Sequence, residues 1–293
     1  MMGNKADGPK AEETVSRFYT GTGWNVDGGV TEDAKRWEDL RECAQEYVSK
    51  CRLRVLRHIP KAGINMLDMA SGPIQYREYL SYSTNFEKRY CVDLSKAALD
   101  QAREKIGDSG KFLHGSFFDI SFEDDFFDCS ISLHTIYHID KDRQEEAVRK
   151  LIRVTKPGRP VIVVYSNPTT LIRYLKSPFL FLRLIKRTLR KSAGKDDTAE
   201  LYFHAHPISW WARFGDMAEV KFLPWRSFSS DDQKRLIPNT KLGKKMLNNL
   251  YDIEERFPRF FVRSFQYPMI ILTKKTDPAF PPGPSRGPAD KTV

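Results

Sequence analysis

An apolar run that ends in a turn of small residues constrains this chain more than any other feature. Residues 64–73 read Ile-Asn-Met-Leu-Asp-Met-Ala-Ser-Gly-Pro, and Asp93 ends a second apolar run twenty-one residues after Gly72. The order is strand, turn, helix and strand, which is the layout of a nucleoside-binding βαβ unit. Small residues let the backbone approach a ligand closely, and a carboxylate at the tip of the second strand can accept both ribose hydroxyls.

The turn has too few glycines for a dinucleotide. Pyrophosphate-binding turns use three glycines, whereas here Ala70 and Ile74 flank the single Gly72. This disfavours a nucleotide-dependent oxidoreductase, which remains the less favoured alternative. The stretch from Leu67 to Ile74 instead resembles motif I of the class I S-adenosylmethionine-dependent methyltransferases, whose usual form is Leu-Asp-x-Gly-x-Gly-x-Gly.

Further motifs follow in the order that this family shows. Residues 114–117 and 126–134 resemble its third and fourth strands, and residues 151–164 resemble its helix, Lys-Pro-Gly turn and fifth strand. The resemblance covers residues 64–166. It implies an α/β fold with a Rossmann-like, doubly wound, seven-stranded and mostly parallel sheet, helices on both faces, an N-terminal helical segment and a helical lid insertion. It also implies S-adenosyl-L-methionine as cofactor, and no metal site is expected.

The resemblance assigns residues to the cofactor site. In the family, an acidic side chain after the third strand usually contacts adenine. Because this chain has Ser116 at that place, the contact is expected from the Ser116 hydroxyl and the Phe117 backbone. The full set of expected cofactor contacts is Tyr19, Asp68, Ala70, Ser71, Gly72, Asp93, Leu94, Ser116, Phe117 and Leu133.

Histidines are the candidate catalytic residues. Methyl transfer from a sulfonium needs an aligned acceptor and, for a hydroxyl or a protonated amine, a group that removes a proton. His134 ends the fourth strand, beyond which the reacting atoms of such sheets lie, and His138 follows one helical turn later. A backbone contact by His134 and a backbone hydrogen bond by His138 are the competing interpretations. His204 and His206 are a second pair that can enter the pocket from the lid side.

Periodicity and turn residues divide the chain into five predicted parts. Helices are expected over 32–58 and between the cap residue Ser95 and Gly107, and a closing strand over 261–273. The parts are an N-terminal aromatic loop and helix capping the cofactor site (1–58), the cofactor-binding core (59–166), a basic amphipathic lid insertion (167–206), the C-terminal part of the same domain (207–276) and a proline-rich tail expected to be disordered (277–293).

Most of the formal net charge of +10 comes from one segment. Residues 171–195 contain eight Lys or Arg and no Asp or Glu. Basic and apolar residues between 179 and 191 fall on opposite arcs of a helical wheel, which predicts a basic amphipathic helix. A lid over the active site is the favoured role and peripheral contact with an anionic membrane is the second. Nucleic-acid binding is disfavoured because the basic arc lacks interleaved aromatic residues.

Composition favours a cytoplasmic enzyme, with peripheral membrane contact as an option. The chain has no run of eighteen apolar residues, its first ten residues are polar, and its four cysteines have neither metal-ligand nor redox spacing. With the resemblance, these features predict methyl transfer to a small-molecule or lipid-linked acceptor. A non-catalytic cofactor-binding module that docks to a membrane or partner through its basic helix remains the alternative.

Overall fold

The N-terminal segment is helical and leads to the sheet through a short hairpin. The computed structural model describes residues 8–171 and 201–276. The side chain of Thr31 caps the second helix by accepting from the backbone N–H of Ala34. The elements are α1 (Gly8–Phe18), a π-helical turn (Tyr19–Gly23), β1 (Val26–Asp27), β2 (Val30–Thr31), α2 (Glu32–Trp37) and α3 (Glu42–Leu56).

Seven strands form the main sheet, in the order β5-β4-β3-β6-β7-β9-β8. The five strands from β5 to β7 are parallel, and β9 runs antiparallel to both of its neighbours. This arrangement confirms the seven-stranded, mostly parallel fold expected from the sequence. The strands are β3 (Gly63–Met69), β4 (Phe86–Asp93), β5 (Gly110–His114), β6 (Cys129–Leu133), β7 (Pro160–Val164), β8 (Ala218–Arg226) and β9 (Tyr267–Lys274).

Apolar side chains leave the sheet on both faces. Val161 and Val163 pack on one side with the helix that precedes β7, whereas Ile162 and Val164 pack on the other with Val55 of α3. A strand buried on both faces is typical of a parallel sheet covered by helices. The remaining helices are α4 (Arg77–Ser81), α5 (Lys96–Ile106), α6 (Gln144–Val154), α7 (Ser230–Leu236), α8 (Lys241–Arg256) and α9 (Pro258–Ser264), with 3₁₀ turns at Gly107–Ser109, Ile136–His138 and Ile208–Asp216.

The expected single helix over 32–58 is wrong in its middle, because residues 38–41 are not helical. Glu38 and Arg41 adopt extended backbone between α2 and α3. The buried carboxylate of Glu38 accepts from Arg226 of β8 at 2.6 Å, which ties the break to the sheet. Apolar spacing continues through the break, so periodicity alone predicted an unbroken helix.

The expected closing strand over 261–273 is also wrong in its first part. Residues 258–264 form α9, and the strand begins at Tyr267. Pro258 stands at the first position of α9, where proline favours a helix start. The helix between Ser95 and Gly107 is confirmed, with the Ser95 hydroxyl accepting from the N–H of Ala98.

Helix α3 is fixed to the sheet by a buried ionic cluster. The carboxylate of Glu254 in α8 accepts from the Tyr47 hydroxyl at 2.7 Å and from Arg54 at 2.8 Å. Arg54 also donates to the carbonyl of Trp225 at 2.8 Å. These bonds lock α3, α8 and β8 together, and thereby hold the base of the N-terminal segment that leads to the site.

The predicted basic amphipathic helix and the proline-rich tail lie outside the described residues. Within 8–171 and 201–276, no helix has the length and apolarity needed to cross a bilayer. The four cysteines are all buried and free.

Candidate cofactor and acceptor site

A cavity of about 380 Å³ lies beyond the carboxyl ends of β3, β4 and β6. The strand order reverses between β3 and β6, and such a switch point is where open α/β sheets bind ligands. Of the twelve residues predicted for the site, Ser116 alone is absent from the lining. The predicted residues that line the cavity are Tyr19, Asp68, Ala70, Ser71, Gly72, Asp93, Leu94, Phe117, Leu133, His134 and His138.

The turn after β3 has the left-handed backbone that favours glycine, also at two positions where this chain has another residue. Ala70 has φ +57°, Gly72 has φ +55° and Ile74 has φ +48°. Left-handed backbone costs a residue with a side chain roughly 1–2 kcal/mol. The two positions at which this chain lacks the usual glycines are therefore strained, and the surrounding fold holds them in place.

Asp93 connects the end of β4 to this turn. One carboxylate oxygen accepts from the N–H of Gly72 and the other from the N–H of Ser95, both at 2.8 Å. Burial raises the pKa of Asp93 from 3.8 to about 6, and the two backbone donors oppose that rise. Each oxygen keeps a second lone pair, so the carboxylate can still accept hydroxyl groups of a ligand.

Asp68 lines the cavity, but its carboxylate is held by an arginine. Arg89 of β4 donates to the same Asp68 oxygen through Nε at 3.0 Å and through a terminal nitrogen at 2.5 Å. Both side chains are buried. The ion pair joins β3 to β4 beneath the turn. Asp68 therefore has a structural role in addition to any contact with a ligand.

The loop after β5 receives an acid from the N-terminal helix. The Ser116 hydroxyl donates to the carboxylate of Glu12 at 2.7 Å. Glu12 lines the cavity, although it lies 104 residues earlier in the chain. A carboxylate thus lies beside Ser116, a position that is usually acidic in the family that the chain resembles. No sequence pattern predicted it, because the contact depends on how α1 packs.

Two aromatic rings of the N-terminal segment cover the glycine turn. Tyr19 and Trp24 stack with ring centroids 4.8 Å apart. A Cβ at Gly72 would lie 2.9 Å from the Trp24 ring, so the indole rests directly on this glycine. Both aromatic residues line the cavity. The N-terminal aromatic loop is therefore one of its walls.

Both predicted histidines line the cavity in neutral form. His134 has φ +60°, and its Nδ1 lies 3.0 Å from the Tyr137 hydroxyl. Burial, followed by the charge of Arg226, lowers the pKa of His134 well below its usual range. His138 donates from Nδ1 to the carbonyl of Tyr202 at 2.7 Å, which leaves the Nε2 lone pair free. Burial lowers the pKa of His138 to about 4.

The prediction that His204 and His206 enter the pocket is wrong. Their rings pack edge to face with centroids 4.8 Å apart, and the His206 ring stacks on Trp210 at 4.6 Å. Neither lines the cavity, whereas the preceding Phe203 does. Packing against the 3₁₀ turn at Ile208–Asp216 keeps the imidazole of His206 outside.

An acidic residue that sequence reasoning missed lies in the same cavity. Asp33 of α2 lines it, and burial together with the negative charge of Glu38 raises its pKa from 3.8 to about 7. A hydrogen bond from Tyr19 opposes that rise. Glu38 differs, because Arg226 and Arg52 lower its pKa despite burial. Asp33 is therefore a carboxyl group of this cavity whose pKa is raised to near neutral pH.

The described part of the chain contains no cluster of three or more His, Cys, Asp or Glu placed to hold a metal ion. The acidic lining residues are instead paired with arginines or with backbone donors, except for Asp33 and Glu12, which bond to hydroxyl groups.

Known proteins resemble the chain in sequence and in fold. A family model described as a methyltransferase domain matches residues 67–163. A demethylmenaquinone methyltransferase of Clavibacter sepedonicus is 26% identical over 174 residues, which are 55% of this chain and 69% of that protein.

Two solved structures share the fold over nearly the whole chain. A geranyl diphosphate C-methyltransferase from Streptomyces coelicolor A3(2) has a TM-score of 0.53 at 15% identity and covers 93% of this chain and 100% of its own. The DhpI–SAH complex has a TM-score of 0.53 at 11% identity, with coverages of 91% and 98%. The matched domain and the ordered motifs support assignment of the chain to the class I S-adenosylmethionine-dependent methyltransferase family, and the two solved structures share its fold.

Proposed function

We propose that this methyltransferase acts on a small-molecule or lipid-linked acceptor bound in the same cavity as its cofactor. The observation that carries the proposal is the continuity of that cavity. It runs from the strained turn and Asp93 to His134, His138 and Asp33. A donor held at one end and an acceptor held at the other would meet without a rearrangement of the sheet.

The residues of the turn after β3 suit the part of the cavity that would hold the cofactor. S-adenosylmethionine supplies a methyl group already activated on a sulfonium sulfur. The Asp93 carboxylate has free lone pairs for the ribose hydroxyls, and the small residues Ala70, Ser71 and Gly72 permit close approach of the backbone. Glu12 is placed to accept from the amino group of adenine, with Ser116 holding its carboxylate.

The opposite end suits an organic acceptor that carries both apolar and polar groups. Its walls combine aromatic rings, such as that of Tyr137, with polar side chains, such as that of Arg226, which is typical of small-molecule pockets. Phe203 and Trp37 line the cavity and are each about half exposed, at 55% and 47%. Such a mouth would accommodate an apolar chain attached to an acceptor. The likeness to a demethylmenaquinone methyltransferase supports this lipid-linked version.

Asp33 is the best candidate to take a proton from a hydroxyl or a protonated amine. A proton acceptor works best when its pKa lies near the working pH, and the pKa of Asp33 is about 7. His138 has a free Nε2 lone pair, but with a pKa of about 4 it would take up a proton weakly. His134 and His138 are then expected to orient the acceptor by hydrogen bonding.

Two measurements on the full chain test the proposal. Calorimetry with S-adenosylhomocysteine should show binding, and binding of NADH in its place at millimolar concentration would refute the cofactor assignment. Transfer of a radiolabelled methyl group should then be measured with water-soluble phenols and with long-chain quinols. Cofactor binding without labelled product from either set, in the presence of an active control methyltransferase, would favour the non-catalytic module.

A further inference from the structure

The exposed surface of helix α8 carries an apolar stripe beside its packed side. Gly243, Leu247, Tyr251 and Glu254 are buried and pack toward α3. The stripe continues onto α9, and its five members are between 39% and 63% exposed: Leu242, Met246, Ile253, Phe257 and Phe260. The apolar face of α8 is therefore wider than the part packed against α3, and its outer strip is exposed among the residues that the structure describes.

Basic residues border this stripe. Lys241, Lys245, Arg256, Arg259 and Arg263 are exposed and form no ion pair with any residue of 8–171 or 201–276. Two of the three acidic residues of α8, Glu254 and Glu255, form ion pairs with Arg54. Asp252 is the remaining acid on the exposed side. The stripe with its border is therefore strongly positive.

We propose that the α8–α9 stripe docks on an anionic lipid surface. Apolar side chains along one side of a helix, bordered by Lys and Arg, enter the boundary between headgroups and acyl chains while the cations contact anionic headgroups. From Leu242 to Phe257 the stripe spans about 22 Å at 1.5 Å per residue. It presents a convex helix face, which suits insertion into a bilayer better than a groove-binding peptide.

The charge of the border argues against two other occupants. A two-fold dimer through this face would place the same positive border against itself, because such an interface pairs one patch with its copy. The segment 172–195 of this chain carries only basic charges and would be repelled in the same way. A nucleic acid would satisfy the charges but would leave the five apolar side chains without a partner.

The surface is connected to the cavity wall. The side-chain amide of Asn167 donates to the carbonyls of Arg263 and Phe265 at 3.2 and 3.1 Å. Gln266 and Tyr267, which follow immediately, line the cavity. A bilayer beneath α9 would therefore lie a few residues from the acceptor end. The docking itself does not depend on methyl transfer.

Cosedimentation of the full chain with vesicles tests the proposal. Vesicles of phosphatidylcholine with about a third phosphatidylglycerol are expected to bind the parent at low salt, and pure phosphatidylcholine at least tenfold more weakly. The variant Leu242→Ser/Ile253→Ser/Phe257→Ser should lose at least tenfold in affinity. A matched control, Leu40→Ser/Leu53→Ser/Ile64→Ser, changes equally exposed apolar residues elsewhere and should bind as the parent does.

Several outcomes would contradict the proposed docking of the α8–α9 stripe on lipid. The proposal fails if the parent does not sediment with the anionic vesicles, or if the α8 variant sediments like the parent. Loss of binding in Arg183→Gln/Lys186→Gln/Arg187→Gln, with the α8 variant unaffected, would assign the membrane contact to the basic segment instead. A shift of the parent to a dimer in size-exclusion chromatography, abolished in the α8 variant, would identify a second copy as the occupant. Binding of S-adenosylhomocysteine by each variant reports separately on the fold and the cofactor site.

Discussion

The carboxylate of Asp93 and the backbone N–H of Gly72 are joined by a hydrogen bond of 2.8 Å. The bond crosses from the end of β4 to the turn after β3, so the Asp93 side chain shapes the turn and keeps lone pairs for the ribose hydroxyls of the proposed cofactor contact. Since the other oxygen accepts from Ser95, the carboxylate is fixed before any ligand arrives. Preorganisation of this kind reduces the ordering cost of binding.

Replacing Asp93 should weaken cofactor binding strongly. Asp93→Ala removes a charged acceptor for two hydroxyls, a loss of about 2–3 kcal/mol, or roughly thirtyfold to more than a hundredfold in the dissociation constant of S-adenosylhomocysteine. Asp93→Asn keeps one acceptor oxygen and should fall between the parent and Asp93→Ala. Titration calorimetry measures the constants, and thermal melting checks that both variants fold. Affinity of Asp93→Ala within about twofold of the parent would contradict the placement.

Cofactor affinity should fall in mild acid. With its pKa raised to about 6, Asp93 is protonated in the free protein below that pH, and binding then requires release of the proton. Affinity for S-adenosylhomocysteine should be nearly constant above about pH 7 and should decrease by up to tenfold per unit below about pH 6. Calorimetry at pH 5, 6, 7 and 8 gives the profile. An equally steep profile in Asp93→Asn would assign the proton to another group.

Ala70 and Gly72 both have positive φ, so exchanging alanine and glycine should have opposite effects on stability at these two positions. Ala70→Gly relieves roughly 1–2 kcal/mol of left-handed strain and loses about 0.5–1 kcal/mol to the greater freedom of the unfolded chain, so it should be neutral or slightly stabilising. Gly72→Ala introduces the same strain and also meets the Trp24 ring, so it should destabilise by more than about 2 kcal/mol. Urea unfolding compares the pair. Destabilisation by Ala70→Gly would contradict the positive φ at this residue.

Sequence patterns predict secondary structure from neighbouring residues, but they do not predict contacts between residues that are far apart in the chain. Local apolar runs predicted the strand before the turn and the strand that ends at Asp93, and the family resemblance implied the seven-stranded sheet, which the structure confirms. The contact between Ser116 and Glu12 joins residues 104 positions apart, and no spacing rule reaches that far. The raised pKa of Asp33 likewise depends on tertiary packing, because it arises only when α2 packs against the π-helical turn and the carboxyl group of Asp33 becomes buried beside Tyr19. The break at residues 38–41 arises from the tertiary pairing of Glu38 with Arg226.

Asp33 should make the folded state less stable as the pH rises. Burial raises its pKa from 3.8 to about 7, so the folded chain holds this proton more tightly than the unfolded chain does. The contribution of protonated Asp33 to the free energy of unfolding is fully present below about pH 4 and is lost as the pH rises to about 7. Asp33→Asn has no proton to lose at this position. Its free energy of unfolding should therefore exceed that of the parent by on the order of 1–2 kcal/mol at pH 8, but by little at pH 4. Denaturant unfolding at the two pH values measures the difference, and an equal effect of the substitution at both would exclude a raised pKa.

Glu12 should recognise the amino group of adenine, although it belongs to a helix far from the cofactor motifs. Its carboxylate is held by Ser116 at 2.7 Å and faces the cavity. Glu12→Ala should weaken binding of S-adenosylhomocysteine by about 1–2 kcal/mol, or roughly fivefold to thirtyfold, as expected for a hydrogen bond to a charged group. The neighbouring Glu13 is exposed on the same helix, so Glu13→Ala is the matched control. The sharper readout uses the inosine analogue, which lacks the amino group. The parent should prefer the adenosine compound, Glu12→Ala should lose most of that preference, and an unchanged preference would show that another group reads the base.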